Sequence, residues 1–406
     1  MSDLKTEMEL DGSYVMHTYG RKPVMFVEGH GMTLVDSKGK EYLDFLAGIA
    51  VVCLGHSHPA VVKAVQEQAA RLMHVSNYFY VDGKGALAEK ISDLANNGAS
   101  EPEKYRTFFA NSGAEANEGA IKLARRYADM TGRPEAKTIV FLQKSFHGRT
   151  LATLAATGQP SKQDIFRPLP EGFVGVPQND VAALEELLDG PEGNKVCAII
   201  LECIQGESGI WPCTPEYLAA VREMTAKRDI LLISDEVQTG FFRCGRNPFA
   251  FQNYGVKADI FTMAKGIASG FPMGAFAARD EVAAAFQPGD HGSTFGGSQL
   301  AIAAANATID ALVSERIGEN SEEVGAYLAE SLADLPHVTE VRGRGLMRGA
   351  QLDAPVAAAA VSAGLEAGLV LNAPCADVLR FVPPLICTRG DVDVLSQRLG
   401  DILNRL

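Results

Sequence analysis

Short apolar runs recur through the middle of the chain. Each ends in polar or glycine-containing residues and gives way to a stretch of helical period. The segment RTFFANSGAEANEGAIKLARRYAD reads as strand, turn and helix. KTIVFLQKSFHG, VCAIILECIQGE, DILLISDEVQTGF and DIFTMAKGIASG each read as a buried strand stopping in a loop, and FPMGAFA prolongs the last as glycine-rich loop. Near-continuous apolar strands separated by helices predict an α/β fold, a mostly parallel sheet covered by helices on both faces. Ligands of such sheets bind just beyond the carboxyl ends of the strands, so the polar residues there are the candidates for chemistry.

Towards the C-terminus the pattern changes. An alanine-rich helical stretch, SQLAIAAANATIDALVSERI, leads into VTEVRGRGLMRGAQL and DVLRFVPPL, which read as strands of a smaller α+β unit. Near the N-terminus, GMTLVDSKGKEYLDF has the look of a hairpin able to pack with that unit. The expected organisation is an N-terminal segment over 1–60, a large domain over 61–305 and a small C-terminal domain over 306–406.

Composition narrows the function classes. The 406 residues carry a formal net charge of -13, which speaks against a nucleic-acid footprint or a basic membrane surface. No apolar run of about 18 residues occurs, so no spanning helix is expected, and the mixed-charge N-terminus lacks a secretory core. Seven cysteines without a Cys-x-x-Cys pair suggest neither a disulfide framework nor a zinc ribbon, and fit a reduced, cytoplasmic protein.

Four strand ends carry the candidate chemistry. Ser112, Gly113 and Ala114 stand at a strand-to-helix turn. They form either an anion site of backbone N–H groups and a hydroxyl, or simply a cap closed by Glu115. KSFHGRT supplies Phe146, an aromatic able to stack on a flat ring, and Arg149, able to hold a carboxylate. Asp235 follows a strongly apolar strand, where a carboxylate is costly unless it meets a cation. Lys265 sits alone between Ala264 and Gly266, and a desolvated lysine becomes a nucleophilic amine. A phosphate cradle, a stacking aromatic, a buried carboxylate and an isolated lysine are together the parts that hold pyridoxal phosphate.

The chain also resembles a known family, the fold-type I, class III (ω-amino) pyridoxal-phosphate aminotransferases, and within it most resembles the acetylornithine aminotransferases. The likeness runs nearly end to end through NSGAEANEGAIKLAR, SFHGRTLATLAATGQ, IQGESGI, SDEVQTGF, AKGIASGFPMGA and HGSTFGG. It implies that Lys265 joins the cofactor's aldehyde and that Asp235 partners its pyridine nitrogen, the two catalytic residues. It implies that Ser112, Gly113 and Ala114 hold the phosphate, that Phe146 and Val237 face the ring from opposite sides, and that Gln238 lies beside the phenolic oxygen. Thr294 would reach the phosphate of a neighbouring subunit, making a homodimer with shared sites.

For substrates, the resemblance implies that Arg149 grips the carboxylate far from the reacting amine, with Ser293 a further contact. Arg380 becomes a second carboxylate anchor, with Glu207 as its removable partner. The implied reaction moves an ω-amino group from N-acetylornithine to 2-oxoglutarate, giving N-acetylglutamate 5-semialdehyde and glutamate, a step of arginine biosynthesis. Succinylornithine, succinyl-diaminopimelate and ornithine are alternative donors, and a glutamate-1-semialdehyde aminomutase is a more distant alternative. Ile49, where ornithine aminotransferases carry a substrate-contacting tyrosine, tilts the reading away from free ornithine.

Other motifs read as structural. VRGRGLMRG lacks dinucleotide-loop spacing, His56 and His58 lack thiolate or carboxylate company, and Arg125 and Arg126 are expected to be solvated or salt-bridged.

Overall fold

A computed structural model describes residues 3–406. Three N-terminal strands, β1 (Phe26–His30), β2 (Thr33–Asp36) and β3 (Glu41–Asp44), form an antiparallel meander. The large sheet takes β4 (Tyr105–Ala110), β5 (Thr138–Leu142), β6 (Phe173–Val176) and β7 (Val196–Leu201). A two-stranded ribbon follows, β8 (Ile204–Gln205) with β9 (Trp211–Pro212), and then β10 (Leu231–Asp235), β11 (Ile260–Met263) and β12 (Gly274–Arg279) complete the large sheet. Its order is β4-β12-β11-β10-β7-β5-β6, parallel except for β12, which runs against both neighbours.

Every residue of β7, β10 and β11 is buried, as a strand covered on both faces requires. Ile199 and Leu201 enter the core on one side of the sheet, Ala198 and Ile200 the core on the other. The helix Gly113–Met130, buried along Ala116, Ala120, Leu123 and Ala124, packs on the latter face.

Strand β12 corrects the glycine-rich loop expected after Lys265. Gly274, Ala275, Ala277 and Ala278 have little intrinsic strand preference, so the sequence hides a strand held by pairing with β4 and β11. Small size matters at its start, because a Cβ on Gly274 would run into the backbone of Ser112.

The smaller sheet joins β13 (Val338–Arg344), β14 (Met347–Leu352), β16 (Asn372–Cys375) and β17 (Val378–Phe381) in the order β13-β14-β17-β16. VRGRGLMRG is thus a hairpin turn, as read. The short strand β15 (Leu369–Val370) pairs in parallel with β3, and Val382 N–H donates to Phe45 C=O, so the N-terminal meander is tied to the C-terminal segment. Fully buried Arg243 adds another tie, donating from Nη1 to the carbonyls of Leu346 (3.0 Å) and Pro383 (2.5 Å).

Arg125 departs from the solvated or salt-bridged residue expected. It is half-buried, donates to the carbonyls of Lys137 and Glu171, and lies 5.1 Å from the Phe173 ring centroid. Its helix packs against the sheet there, and backbone carbonyls replace the anticipated carboxylate. Arg126 does form ion pairs, with Asp129 and Asp290. His56 and His58 correct the expectation that they lack carboxylate company: the fold brings Asp44 to His56 and Glu315 to His58, though no metal-binding group of three forms among the described residues.

Candidate active site

A cavity of about 260 Å³ opens at the carboxyl ends of the parallel strands, lined among others by Gly113, Ala114, Phe146, Asp235, Val237 and Lys265. Sequence explains how each arrives. β4 runs out at Ala110, and Ser112 caps the helix that follows, its Oγ accepting from Glu115 N–H at 3.2 Å. Glu115 answers by accepting from Asn111 N–H at 2.6 Å. The cap therefore exists, and the first-turn amides beyond it, without partners inside the helix, leave an anion site at the cavity wall. Gly113 is required there: a Cβ would stand 2.8 Å from Val237 Cγ1.

Asp235, 3% exposed, ends β10. Its Oδ2 meets His147 Nδ1 at 2.7 Å and Asn117 Nδ2 at 2.8 Å, while Oδ1 accepts from Val237 N–H at 3.0 Å. The carboxylate is thereby fixed at the cavity wall. Buried His147 Nε2 and Asn117 Oδ1 have no partner among the described residues.

Lys265 follows β11 in a short 3-10 turn with φ of 44°, a left-handed conformation unusual for a side chain of this size. Such strain is held only where the surroundings enforce it and is frequent at functional sites. Burial, reinforced by Arg380, pulls the ammonium below its ordinary pKa, while Glu207, Glu202 and Asp235 oppose the shift. The amine has no hydrogen bond or ion pair among the described residues. It stands ready to bond to something else. The segment is braced by Cys53 Sγ donating to Gly266 C=O, and Ile49 lies in the strained turn Ala47–Ala50 that packs against it.

Arg380, on β17, is 2% exposed. Its Nη1 donates to Glu207 Oε1 (2.6 Å), Gly206 C=O (3.0 Å) and Gln238 Oε1 (3.3 Å), and its Nε to Asn372 Oδ1. Glu207 projects from the loop between β8 and β9 and also accepts from Gln238 Nε2. Burial works to raise its pKa, but Arg380 and Lys265 outweigh this and hold the carboxyl ionised below the usual range. Arg149, exposed at the cavity rim, has its guanidinium carbon 5.6 Å from the Phe146 ring centroid.

Ser293, expected as a substrate contact, and Thr294, expected to reach a neighbouring subunit, stand apart from this cavity. Ser293 and Thr294 line a separate surface cleft of about 670 Å³ with Asn77, Tyr78 and Lys84, not the Lys265 cavity. Ser293 Oγ there accepts from Asn111 Nδ2 and Gly296 N–H, bracing the loop.

Glu202 was missed, although it follows β7 as Asp235 follows β10 and the same strand-end rule applies. It is 4% exposed and lines the cavity, accepting from Phe146 N–H at 2.9 Å and Gly206 N–H at 3.1 Å. Burial raises its carboxyl to about 7, Asp235 adding to the shift and His147 opposing it. The folded pKa lies above the unfolded value, so the stability from this proton is full below the unfolded pKa and fades as pH rises through about 7. Glu202→Gln removes the titration. The melting temperature of the variant is expected to gain on wild type between about pH 5 and about pH 8. A constant gap in thermal melts across that range would contradict the assignment.

The cofactor implied by the resemblance fits these residues. The cavity offers an unengaged amine, a fixed carboxylate, an aromatic face and a helix N-terminus whose glycine keeps the approach open. Among the described residues no group of three or more His, Cys, Asp or Glu could hold a metal ion, and no helix is long and apolar enough to cross a membrane.

Comparisons with known proteins agree. The class-III aminotransferase family model matches residues 14–403. An acetylornithine aminotransferase of Caldanaerobacter subterraneus subsp. tengcongensis is 47% identical over 97% of this chain and 98% of its own. The solved acetylornithine aminotransferase of Elizabethkingia anophelis superposes with a TM-score of 0.87 at 31% identity, covering 100% of both chains. The ornithine aminotransferase of Toxoplasma gondii ME49 gives 0.92 at 31% identity, covering 100% of this chain and 96% of its own.

Proposed function

We propose that this chain, which belongs to the class-III aminotransferases and is a pyridoxal-phosphate-dependent transaminase, moves the δ-amino group of N-acetylornithine to 2-oxoglutarate. The products are N-acetylglutamate 5-semialdehyde and glutamate, a step towards arginine. The observation that carries the donor assignment is the full-length identity of 47%, 43% and 46% to acetylornithine aminotransferases of three organisms; the solved acetylornithine and ornithine enzymes, each 31% identical, share the fold alike. Ile49 beside the Lys265 turn supports it.

The bound cofactor supplies an electron sink for the bonds at the amine-bearing carbon. Lys265 would hold it through Nζ, Asp235 would face its ring nitrogen, and the Ser112-Gly113-Ala114 turn its phosphate. Phe146 and Val237 would enclose the ring, with Gln238 at its phenolic oxygen. Lys265 Nζ, with its lowered pKa, is a base suited to taking a proton from the amine-bearing carbon and returning it.

Arg149 takes the carboxylate at the far end of either substrate. The Arg380–Glu207 pair serves the difference between them. A δ-amine has no carboxylate beside its reacting carbon, and Glu207 then keeps Arg380 from being a lone buried charge. When glutamate or 2-oxoglutarate enters, its α-carboxylate replaces Glu207 on Arg380.

A second copy of the chain would complete the site. Tyr78, 94% exposed, lines the cleft that holds Ser293 and Thr294, and the residues next to them in the chain, Phe79, Tyr80 and Phe295, are 67%, 106% and 63% exposed. So much exposed aromatic surface supports a homodimer interface, with Thr294 offered to the partner's phosphate. All seven cysteines are free, which supports a reducing, cytoplasmic setting.

The test is a half-reaction without keto acid, following loss of the lysine-bound cofactor's absorbance. N-acetylornithine is expected to react at least about tenfold faster than ornithine. Equal rates, or faster reaction with ornithine, would overturn the donor assignment.

A further inference from the structure

Phe146 carries two cations. Besides Arg149 at 5.6 Å, the ammonium of Lys162 stands 5.9 Å from the same ring centroid. Among the described residues neither cation forms an ion pair, and the one hydrogen bond of Lys162 runs to Gln159 Oε1 within its own turn.

Lys162 is not a freely ranging surface side chain. Pro160 opens its short helix, Pro160–Gln163. The neighbouring Gln163 is buried and pins that turn, donating from Nε2 to the carbonyls of Leu154 (3.0 Å), Ala155 (3.3 Å) and Thr157 (2.7 Å). The ammonium itself is partly buried. Burial lowers its pKa and the Arg149 charge lowers it further, with Glu207 and Cys375 opposing. Two like charges are thus held over one ring without an ion pair to either among the described residues, an arrangement that costs free energy until a carboxylate arrives.

The substrates proposed above share one feature at their far end. The α-carboxylate of N-acetylornithine and the γ-carboxylate of 2-oxoglutarate both lie several bonds from the reacting carbon. We propose that Lys162 is a specificity-determining residue which, with Arg149, clamps this distal carboxylate in both half-reactions. The proposal deepens the transaminase reading and rests on it. Arg149 supplies a planar fork and Lys162 a point charge, so one carboxylate can engage both. No covalent step is involved.

The holoenzyme variants Lys162→Met and Lys162→Arg test this. Lys162→Met should raise KM for N-acetylornithine and for 2-oxoglutarate about tenfold, leaving kcat within about twofold. Lys162→Arg should restore most of the loss. With 1,4-diaminobutane, an ω-amine without a carboxylate, kcat/KM should be unchanged in Lys162→Met. Binding of glutarate to the holoenzyme, measured by calorimetry, should weaken by the same factor as KM.

Unchanged KM values, or an equal loss with the diamine, would overturn the proposal, the latter by showing that Lys162 merely props the Phe146 ring. Should wild type fail to use N-acetylornithine, the donor assignment fails, yet glutarate still decides. Weaker binding to Lys162→Met then supports the clamp, and equal binding overturns it.

Discussion

Lys265→Ala is expected to abolish turnover, lowering kcat by at least about 10⁴-fold, while the protein still binds pyridoxal phosphate noncovalently. The reasoning begins with the amine's isolation. Lys265 contributes no hydrogen bond or ion pair to the fold among the described residues, and its burial disfavours the charge it would otherwise carry. A lysine kept there for stability would have a carboxylate against it. Alanine retains the backbone at φ of 44° and deletes only the side chain, so the melting temperature of the cofactor-free protein should not fall. The other holding groups remain: the capped turn at Ser112, the Asp235 carboxylate and the Phe146 ring. Absorbance after dialysis would show whether the cofactor stays, and steady-state assay whether turnover does. Retained transamination would refute the assignment of Lys265.

The site was legible wherever chemistry follows directly on a strand. Asp235 and Lys265 stand at the ends of β10 and β11, and Gly113 and Ala114 open the helix after β4, so a rule about strand ends locates all four. Glu202 obeys the same rule after β7, but it shares ECIQGE with a second carboxylate, Glu207, and only the fold shows that Glu202 lines the cavity. Asn117 and His147 were invisible as a pair. They lie 118 and 88 positions from Asp235 and meet only because the helix and the loop after β5 converge on one carboxylate. Lys162 was hidden for the same reason, its turn being folded back by Gln163 onto carbonyls that no periodicity announces.

The fold shows the same division. The buried strands declared themselves by apolar runs. β12, built from a glycine and three alanines beside one phenylalanine and one arginine, did not, since its strand character comes from pairing with β4 and β11. Ser293 and Thr294 show the limit in another way. A single chain places them in a cleft apart from Lys265, and only the resemblance connects Ser293 to a substrate and Thr294 to a partner's cofactor.

Asp235→Asn should lower kcat/KM for both half-reactions by about 10²- to 10³-fold and weaken cofactor binding. Three donors or ring nitrogens converge on this carboxylate: His147 Nδ1 and Asn117 Nδ2 on Oδ2, and Val237 N–H on Oδ1. An amide has one oxygen to offer. Turned to keep His147 and Asn117, it sets its NH₂ against the Val237 N–H. Turned the other way, it sets that NH₂ against the Asn117 amide. Either choice leaves a buried donor unpaired, at about 1–3 kcal/mol. The lost charge adds to this, because an anion at the end of β10 is what favours a protonated ring nitrogen on the cofactor. The two contributions separate by experiment. Misfit among protein groups lowers the melting temperature of the cofactor-free protein, whereas loss of the anion acts only on the loaded enzyme. A variant with normal kcat/KM would show that Asp235 serves only to hold His147 and Asn117. One that melts like wild type without cofactor, yet loses two to three orders of magnitude in turnover, would show the carboxylate acting on the cofactor itself.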